Sequence, residues 1–349
     1  MTQFNPSSLP IRAGIVGTGF AAKLRAETLQ ADSRLPEEQR QRRSRLVAVS
    51  GHTPEKTQEF ARTYEALAVE SWQQLVEHPD IDLVFICTIN CTHGAIARAA
   101  LNAGKHVVVE YPLSLDPLDA EALIALAIAK GKLLHVEHIE LLGGLHQALR
   151  QSLPKIGNAF YARYVTISPQ RPAPQRWTYH PEQFGFPFSG ALSRIQRFTD
   201  LFGEVASVSC QSRFWNADAS NVTKASPSDY YTACLCTAQL RFVSGLIAEV
   251  TYGKGEVFWQ SLRDFEVHGD QGTLLFEGDE GYLIREEERT AIEVGGRRGL
   301  FKKDTGLVLD YLVEGKPLYL SATASCYALK VADAARQSAE MGKVINLVT

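Results

Sequence analysis

The sequence predicts an α/β plus α+β protein of two domains, an N-terminal doubly wound parallel sheet followed by a C-terminal, mainly antiparallel sheet. The length, the rhythm of apolar runs and a change of texture near Leu153 carry that prediction. At 349 residues the chain exceeds what one domain ordinarily holds. In its first third, apolar runs at 11–16, 46–49, 83–86 and 107–109 alternate with helical patterns, the signature of parallel strands joined by helical crossovers. Past Leu153 the strands lengthen and fill with Thr, Val, Tyr and Phe, at 160–168, 207–213, 231–242 and 245–252. Short turns at Val243-Ser244-Gly245 and Gly269-Asp270-Gln271-Gly272 join neighbours, which reads as antiparallel pairing. The expected division is 1–140 and 141–349, with an Ala-rich terminal helix over 321–341 packing back on the first domain.

Within the first part the clearest helix spans 116–130. Asp116 suits its cap, Pro117 its first position, and Gly131 its end. Directly after the first strand stands Gly17-Thr18-Gly19-Phe20-Ala21-Ala22, a GxGxxA turn opening a helix. Glycines there let backbone amides approach a pyrophosphate, and the helix N-terminus adds partial positive charge. Placed between strand and helix at the head of a βαβ series, the motif marks a dinucleotide-binding Rossmann domain.

The second strand ends in Val49-Ser50-Gly51-His52, where a site for NAD usually carries an acid on the ribose hydroxyls; none stands here. Ser50, His52, Thr53 and Lys56 are therefore expected around a 2′-phosphate, so that NADPH is preferred and NADH used more weakly. The same residues also read as an ordinary turn, with Thr53 as helix cap and Pro54 at the first position. Arg34, Arg40, Arg42, Arg43 and Arg45 precede this strand, either as a solvated run or near the phosphate. Cys87-Thr88-Ile89-Asn90 follows the third apolar run, at the carboxyl edge where cofactor and substrate meet in open α/β sheets. Thr88, Asn90, His93 and Glu110 are expected along that edge as cofactor contacts, with His93 opening the next helix rather than acting in catalysis.

Composition closes off other classes. Hydrophobic residues are 45%, charged residues 21%, and the net charge is −3, so nothing draws the chain to nucleic acid or an anionic membrane. The most apolar run, 122–129, ends at Lys130 and is too short to span a bilayer. The opening MTQFNPSSLP lacks a basic and then apolar leader, which points to the cytoplasm. Six cysteines are too sparse for a disulfide scaffold. Cys234 and Cys236 share one strand face without a second Cys/His pair, so packing is expected and no metal.

The order GxGxxA, Cys87-Thr88-Ile89-Asn90, Glu110-Tyr111-Pro112 and Val267-His268-Gly269 resembles the glucose-fructose oxidoreductase family of NAD(P) enzymes across nearly the whole chain. Three stretches, at 104–113, 134–142 and 184–194, are similar to its biliverdin-reducing branch. Most members of the wider family place Lys where Tyr111 stands and use it with an Asp and a His on a sugar hydroxyl. Arg194 and Phe198 occupy the positions resembling that Asp and His, so the alcohol machinery is gone. The resemblance thus implies a linear tetrapyrrole as hydride acceptor, reduced at its central methine carbon, C10. Arg194 is the leading catalytic residue, polarising the bilin, ordering a water or pairing with a propionate. Glu110, Glu137 and His138 are second candidates, as proton donors or as a structural network. Tyr111 is placed against the bilin by stacking or a hydrogen bond. Arg171, Arg176, Phe186, Arg194 and Arg197 complete the expected substrate set, with Trp177, Tyr179 and His180 in the same loop. The open face of the second sheet is expected to wall the pocket. The Cys/His zinc cluster of animal relatives is not matched, since Cys326 stands alone. A sugar or polyol dehydrogenase with altered proton transfer and a non-catalytic NAD(P)-binding sensor are the rivals.

Overall fold

The computed structural model describes residues 10–33, 43–216 and 230–348; Arg34, Arg40 and Arg42 lie outside them. The chain divides into two compact units, Met1–Ile139 with Gly299–Cys326, and Glu140–Arg298 with Tyr327–Thr349.

In the first unit, β1 (Ile11–Val16), β2 (Ser44–Ser50), β3 (Leu67–Ala68), β4 (Leu83–Ile86), β5 (His106–Glu110) and β6 (Leu134–Glu137) form a sheet in the order β3-β2-β1-β4-β5-β6. All pairs are parallel. Helices cover both faces of such a sheet, which is why β4 is buried along its whole length. The strand order reverses between β1 and β4, and the crevice beyond their carboxyl ends is where ligands bind in this architecture. The helix Pro117–Lys130 is bounded as its sequence predicts: Asp116 accepts from the Leu118 N–H at 2.9 Å, and Gly131 closes it with φ 62°. Thr53 and Pro54 open the helix Pro54–Thr63 likewise, though the Thr53 side chain makes no capping bond. The returning segment adds the helix Leu300–Glu314, whose Phe301 meets Phe20 edge-on at 6.1 Å.

In the second unit the strands are β7 (Ala159–Pro169), β8 (Val205–Asn216), β9 (Tyr231–Phe242), β10 (Ile247–Gly255), β11 (Leu262–Gly269), β12 (Gly272–Glu277), β13 (Glu280–Arg285), β14 (Glu288–Ile292) and β15 (Ile345–Asn346). Their order is β14-β13-β12-β11-β7-β10-β9-β8-β15, antiparallel except for β7 with β10. The anticipated turn between β9 and β10 needs Gly245, whose φ is 93°. Side chains alternate across the sheet. Tyr164, Thr166, Tyr252, Lys254, Cys234, Cys236 and Phe265 lie on the covered face, which the helix Ser193–Phe202 meets through Phe198. Burial holds both thiols neutral, Cys234 at about 11 and Cys236 well above the ordinary range. The opposite face carries pairs that satisfy each other, Arg163 with Glu266 at 2.8 Å and Tyr161 with Glu249 at 3.1 Å.

Candidate active site

The cofactor half is built at the end of β1. Gly17 has φ 116°, donates its N–H to the Ser50 carbonyl at 2.8 Å, and leaves a side chain no room: a Cβ would stand 2.2 Å from the Cys87 carbonyl oxygen. Gly19 is the reverse, with no atom within 4 Å of where a Cβ would lie. It opens onto the start of the helix Phe20–Ser33, whose first turn, with Phe20 exposed, Ala21 half-buried and Ala22 buried, carries no acid to compete with an anion. A cavity of about 470 Å³ adjoins it, lined by Thr18, Gly19, Lys23, Lys56, Phe60 and Tyr64 among others. Two exposed lysines at a glycine turn with clear space above it fit a phosphorylated dinucleotide. Lys56 lines this cavity, and His52 is exposed. Ser50 is 2% exposed, inside the turn, and is not among the residues lining this cavity. Lys23 went unforeseen, although a cation one turn into the glycine-motif helix was a readable signal.

Farther along the edge, Thr88 is half-buried and bonds Thr92 through its hydroxyl at 2.8 Å, while Asn90 is buried. At 1% exposure His93 braces the backbone of this edge, with Nδ1 2.8 Å from the Pro112 carbonyl and Nε2 3.1 Å from that of Thr88.

Behind the edge lies a charged cluster that the sequence showed only in part. Arg25 is 1% exposed, donates to Asp304 Oδ2 at 2.9 Å and Thr305 at 3.1 Å, and lies 3.9 Å from Glu137. Asp304 also meets His135 Nε2 at 2.9 Å and the Tyr319 hydroxyl at 2.8 Å. Glu110 and Glu137 end β5 and β6 as register partners. Burial, with Asp304 nearby, raises Glu110 to about 7 against the pull of Arg25; burial and Glu110 raise Glu137 well above the ordinary range. One guanidinium serving three carboxyls leaves this edge holding a proton near neutral pH. Glu110 Oε1 makes no hydrogen bond among the described residues. Beside it the Tyr111 and His138 rings stack at 4.9 Å and 14°, with His138 Nε2 2.8 Å from the Ser325 hydroxyl.

In the second unit, Arg194 lies one residue into its helix. Its Nε donates to the Thr166 hydroxyl at 3.3 Å, its Nη1 to Ser193 at 3.2 Å, and its Cζ lies 4.9 Å from the Tyr252 ring centroid. This sets Arg194 on the covered face of the sheet. Arg171 and Arg176 are exposed: the first bonds the Glu256 and Phe258 carbonyls and stacks on Trp259 at 3.6 Å, and the second bonds Thr178 at 3.0 Å. Phe186 is half-buried, edge-on to Phe188 at 6.1 Å. Arg197, at 1% exposure, turns inward, 3.7 Å from Glu140 and over the Tyr164 ring.

Comparison with known proteins agrees with this geometry. Residues 11–138 match the GFO/IDH/MocA oxidoreductase family, NAD-binding Rossmann fold, and residues 153–347 match that family's C-terminal alpha/beta domain. A solved biliverdin reductase from Synechocystis sp. PCC 6803, in complex with biliverdin and NADP+, is 56% identical over 95% of this chain and 99% of its own, with a TM-score of 0.88. Biliverdin reductase A of Mus musculus is 34% identical over 139 residues, a match spanning 40% of this chain and 44% of that protein. The UDP-N-acetylglucosamine 3-dehydrogenase of Acidithiobacillus ferrooxidans shares the fold, at 20% identity and a TM-score of 0.73 over 98% of this chain and 99% of its own.

Proposed function

The chain belongs to the GFO/IDH/MocA oxidoreductase family, and from that premise we propose that it reduces biliverdin to bilirubin with NADPH. The observation that carries this reading is the 56% identity, sustained over 95% of the chain, to a biliverdin reductase solved with biliverdin and NADP+. NADPH, when bound, supplies hydride from nicotinamide C4 to the bilin's C10. The chain's own residues do the rest. The amides around Gly19 hold the pyrophosphate, and Lys23 and Lys56 hold the 2′-phosphate. Thr88 and Asn90 line the nicotinamide edge. Arg194, fixed by two hydroxyls and a ring, places positive charge against the acceptor as electrons arrive on it. Glu110, protonated up to about pH 7, gives the proton that a pyrrole nitrogen takes, with Glu137 sharing its site. Tyr111 and His138 present a stacked aromatic wall, and Arg171, Arg176 and Phe186 serve the bilin's propionates and rings.

In this reading 1–140 binds the dinucleotide and 141–349 the substrate. Among the described residues no helix is long and apolar enough to cross a membrane; a cytoplasmic site of action fits an acceptor and donor that are both water-borne anions. The decisive experiment mixes protein, NADPH and biliverdin and follows the green-to-yellow change. No change with fresh NADPH and biliverdin IXα rejects the assignment.

A further inference from the structure

The second unit holds one more cation, which the scheme above leaves unused. Lys254 points inward on β10, in register with Ser168 and Cys234, and is 5% exposed. Aromatic rings box its ammonium: the centroids of Phe184, Tyr179, Tyr231 and Tyr252 lie 4.0, 4.5, 5.2 and 5.9 Å from Nζ. Nζ donates to the Thr178 carbonyl, which also accepts from the Tyr231 hydroxyl at 2.9 Å. Among the described residues no carboxylate pairs with it; of the groups acting on it, Cys234 favours the charge, and Arg176 and Arg194 repel it. An ammonium so placed is costly. Ring faces and one carbonyl recover part of that cost, and burial, with those two cations, brings the group down to about 8.

A methionine would fill the box with no such penalty, so the charge itself is what the site contains. Its two attachments lead to the substrate residues. The Tyr252 ring carries Arg194 at 4.9 Å as well as Lys254 at 5.9 Å. The Thr178 carbonyl belongs to the same short turn whose Thr178 hydroxyl binds Arg176 at 3.0 Å.

We propose that Lys254 is a positioning residue for bilin reduction: through the shared Tyr252 ring it orients Arg194, and through the Thr178 carbonyl it fixes the turn that holds Arg176. This rests on the role given to Arg194 above. Two cations on one ring repel, so the charged Lys254 limits where the guanidinium settles and adds to the positive potential that receives negative charge. When Lys254 loses its proton, both effects go. Among the described residues, no other group facing the box changes charge in that range: burial holds Tyr179 up at about 12 and Tyr231 higher, Cys234 stays a thiol to about 11, and burial of Tyr252 leaves a ring whose role is its face. Arg176 and Arg194 remain charged throughout.

The test is kcat and kcat/KM for biliverdin with saturating NADPH from pH 6 to 10, in the wild type, Lys254→Met and Lys254→Arg. Lys254→Met is expected to lower kcat about tenfold at pH 7, the scale of removing a supporting group one step from the reacting atoms, with KM for NADPH unchanged. Comparing variants as ratios removes any limb that Glu110 contributes to all three. The wild-type to Lys254→Met ratio of kcat/KM should be level below about pH 7 and collapse toward one above about 8; relative to Lys254→Arg, charged throughout, the wild type should fall over the same range. Flat ratios with unaltered kcat overturn the proposal. If Lys254→Met does not fold, as circular dichroism would show, the comparison with Lys254→Arg alone decides, a flat ratio again being the refutation. A wild type that reduces biliverdin with flat ratios overturns only this role, whereas a wild type that does not reduce it overturns the Arg194 reading and this role together.

Discussion

Replacing Arg194 by alanine tests the chemistry most directly. The guanidinium is held before any substrate arrives, by Thr166 at 3.3 Å, Ser193 at 3.2 Å and the Tyr252 face at 4.9 Å. A charge already in place requires no reorganisation when the acceptor takes up electrons, and losing one preorganised donor of this kind costs about 3 kcal/mol, roughly a hundredfold in kcat. A propionate contact alone behaves differently: Arg194→Ala would raise KM for biliverdin and leave kcat nearly intact. Arg194→Lys separates the two more sharply, since lysine keeps the charge but loses the planar fork. Steady-state rates of bilirubin appearance at saturating NADPH, with bilin varied, give both constants. An Arg194→Lys protein with full kcat and a modestly raised KM would refute the chemical role and leave a binding one.

Four further outcomes follow from the first unit. Glu110 is raised to about 7, so the acid form is present below that value and lost above it; kcat/KM should fall as pH rises through about 7, and Glu110→Gln should lower the rate and remove that limb. The same shift makes the native state bind the extra proton between 4.5 and about 7. The stabilisation is therefore complete at low pH and lost as pH rises through 7, and Glu110→Gln should melt higher than wild type at pH 8 in calorimetry, a lower melting point counting against it. Lys56→Glu removes one charge from the cavity and adds its opposite. At ~1 kcal/mol for each unit charge near 4 Å in water, the NADPH-to-NADH ratio of kcat/KM should drop about thirtyfold, and an unchanged ratio would place the 2′-phosphate elsewhere. Asp304→Asn strands Arg25 at 1% exposure and weakens the contacts to His135 and Tyr319. A loss of about 3–5 kcal/mol in denaturant unfolding is expected, and a loss under 1 would show that the cluster relaxes.

What was legible in the sequence was what local physics decides. Gly17 and Gly19 announce themselves because only glycine tolerates one position and leaves the other open, and Asp116 and Gly131 because capping is a matter of neighbours. Arg25 was legible in principle. It shares the stripe of Ala22, Ala26 and Leu29, all buried, and a cation on such a stripe requires a buried partner. Its partner could not be named, since Asp304 stands 279 residues away and arrives on the returning helix. Strand β6 is four residues long and contains His135 and Glu137, so its apolar signal is weak. Residue type suggested ligand contacts for Ser50, His93 and Arg197; that all three are buried is invisible in one sequence.

In the proposed reading, the direction of the chemistry rests on the protonation of the first unit's edge. Oxidising an alcohol calls for a group that accepts the hydroxyl proton, hence a carboxylate or imidazole left unprotonated at working pH. Here burial raises Glu110 to about 7 and Glu137 well above the ordinary carboxylate range, next to a single shared guanidinium, so in the proposed reading these carboxyls hold a proton to give. Phe198, where the resembled family carries a histidine, is fully buried against Phe265 at 5.3 Å and Phe202 at 6.1 Å, and has become part of the sheet's aromatic core. With a phenylalanine at position 198 and a cation held at Arg194, the chain in the proposed reading places a proton and positive charge on an acceptor. A conjugated bilin, which takes up hydride and proton on different atoms, uses both; a sugar hydroxyl undergoing oxidation uses neither.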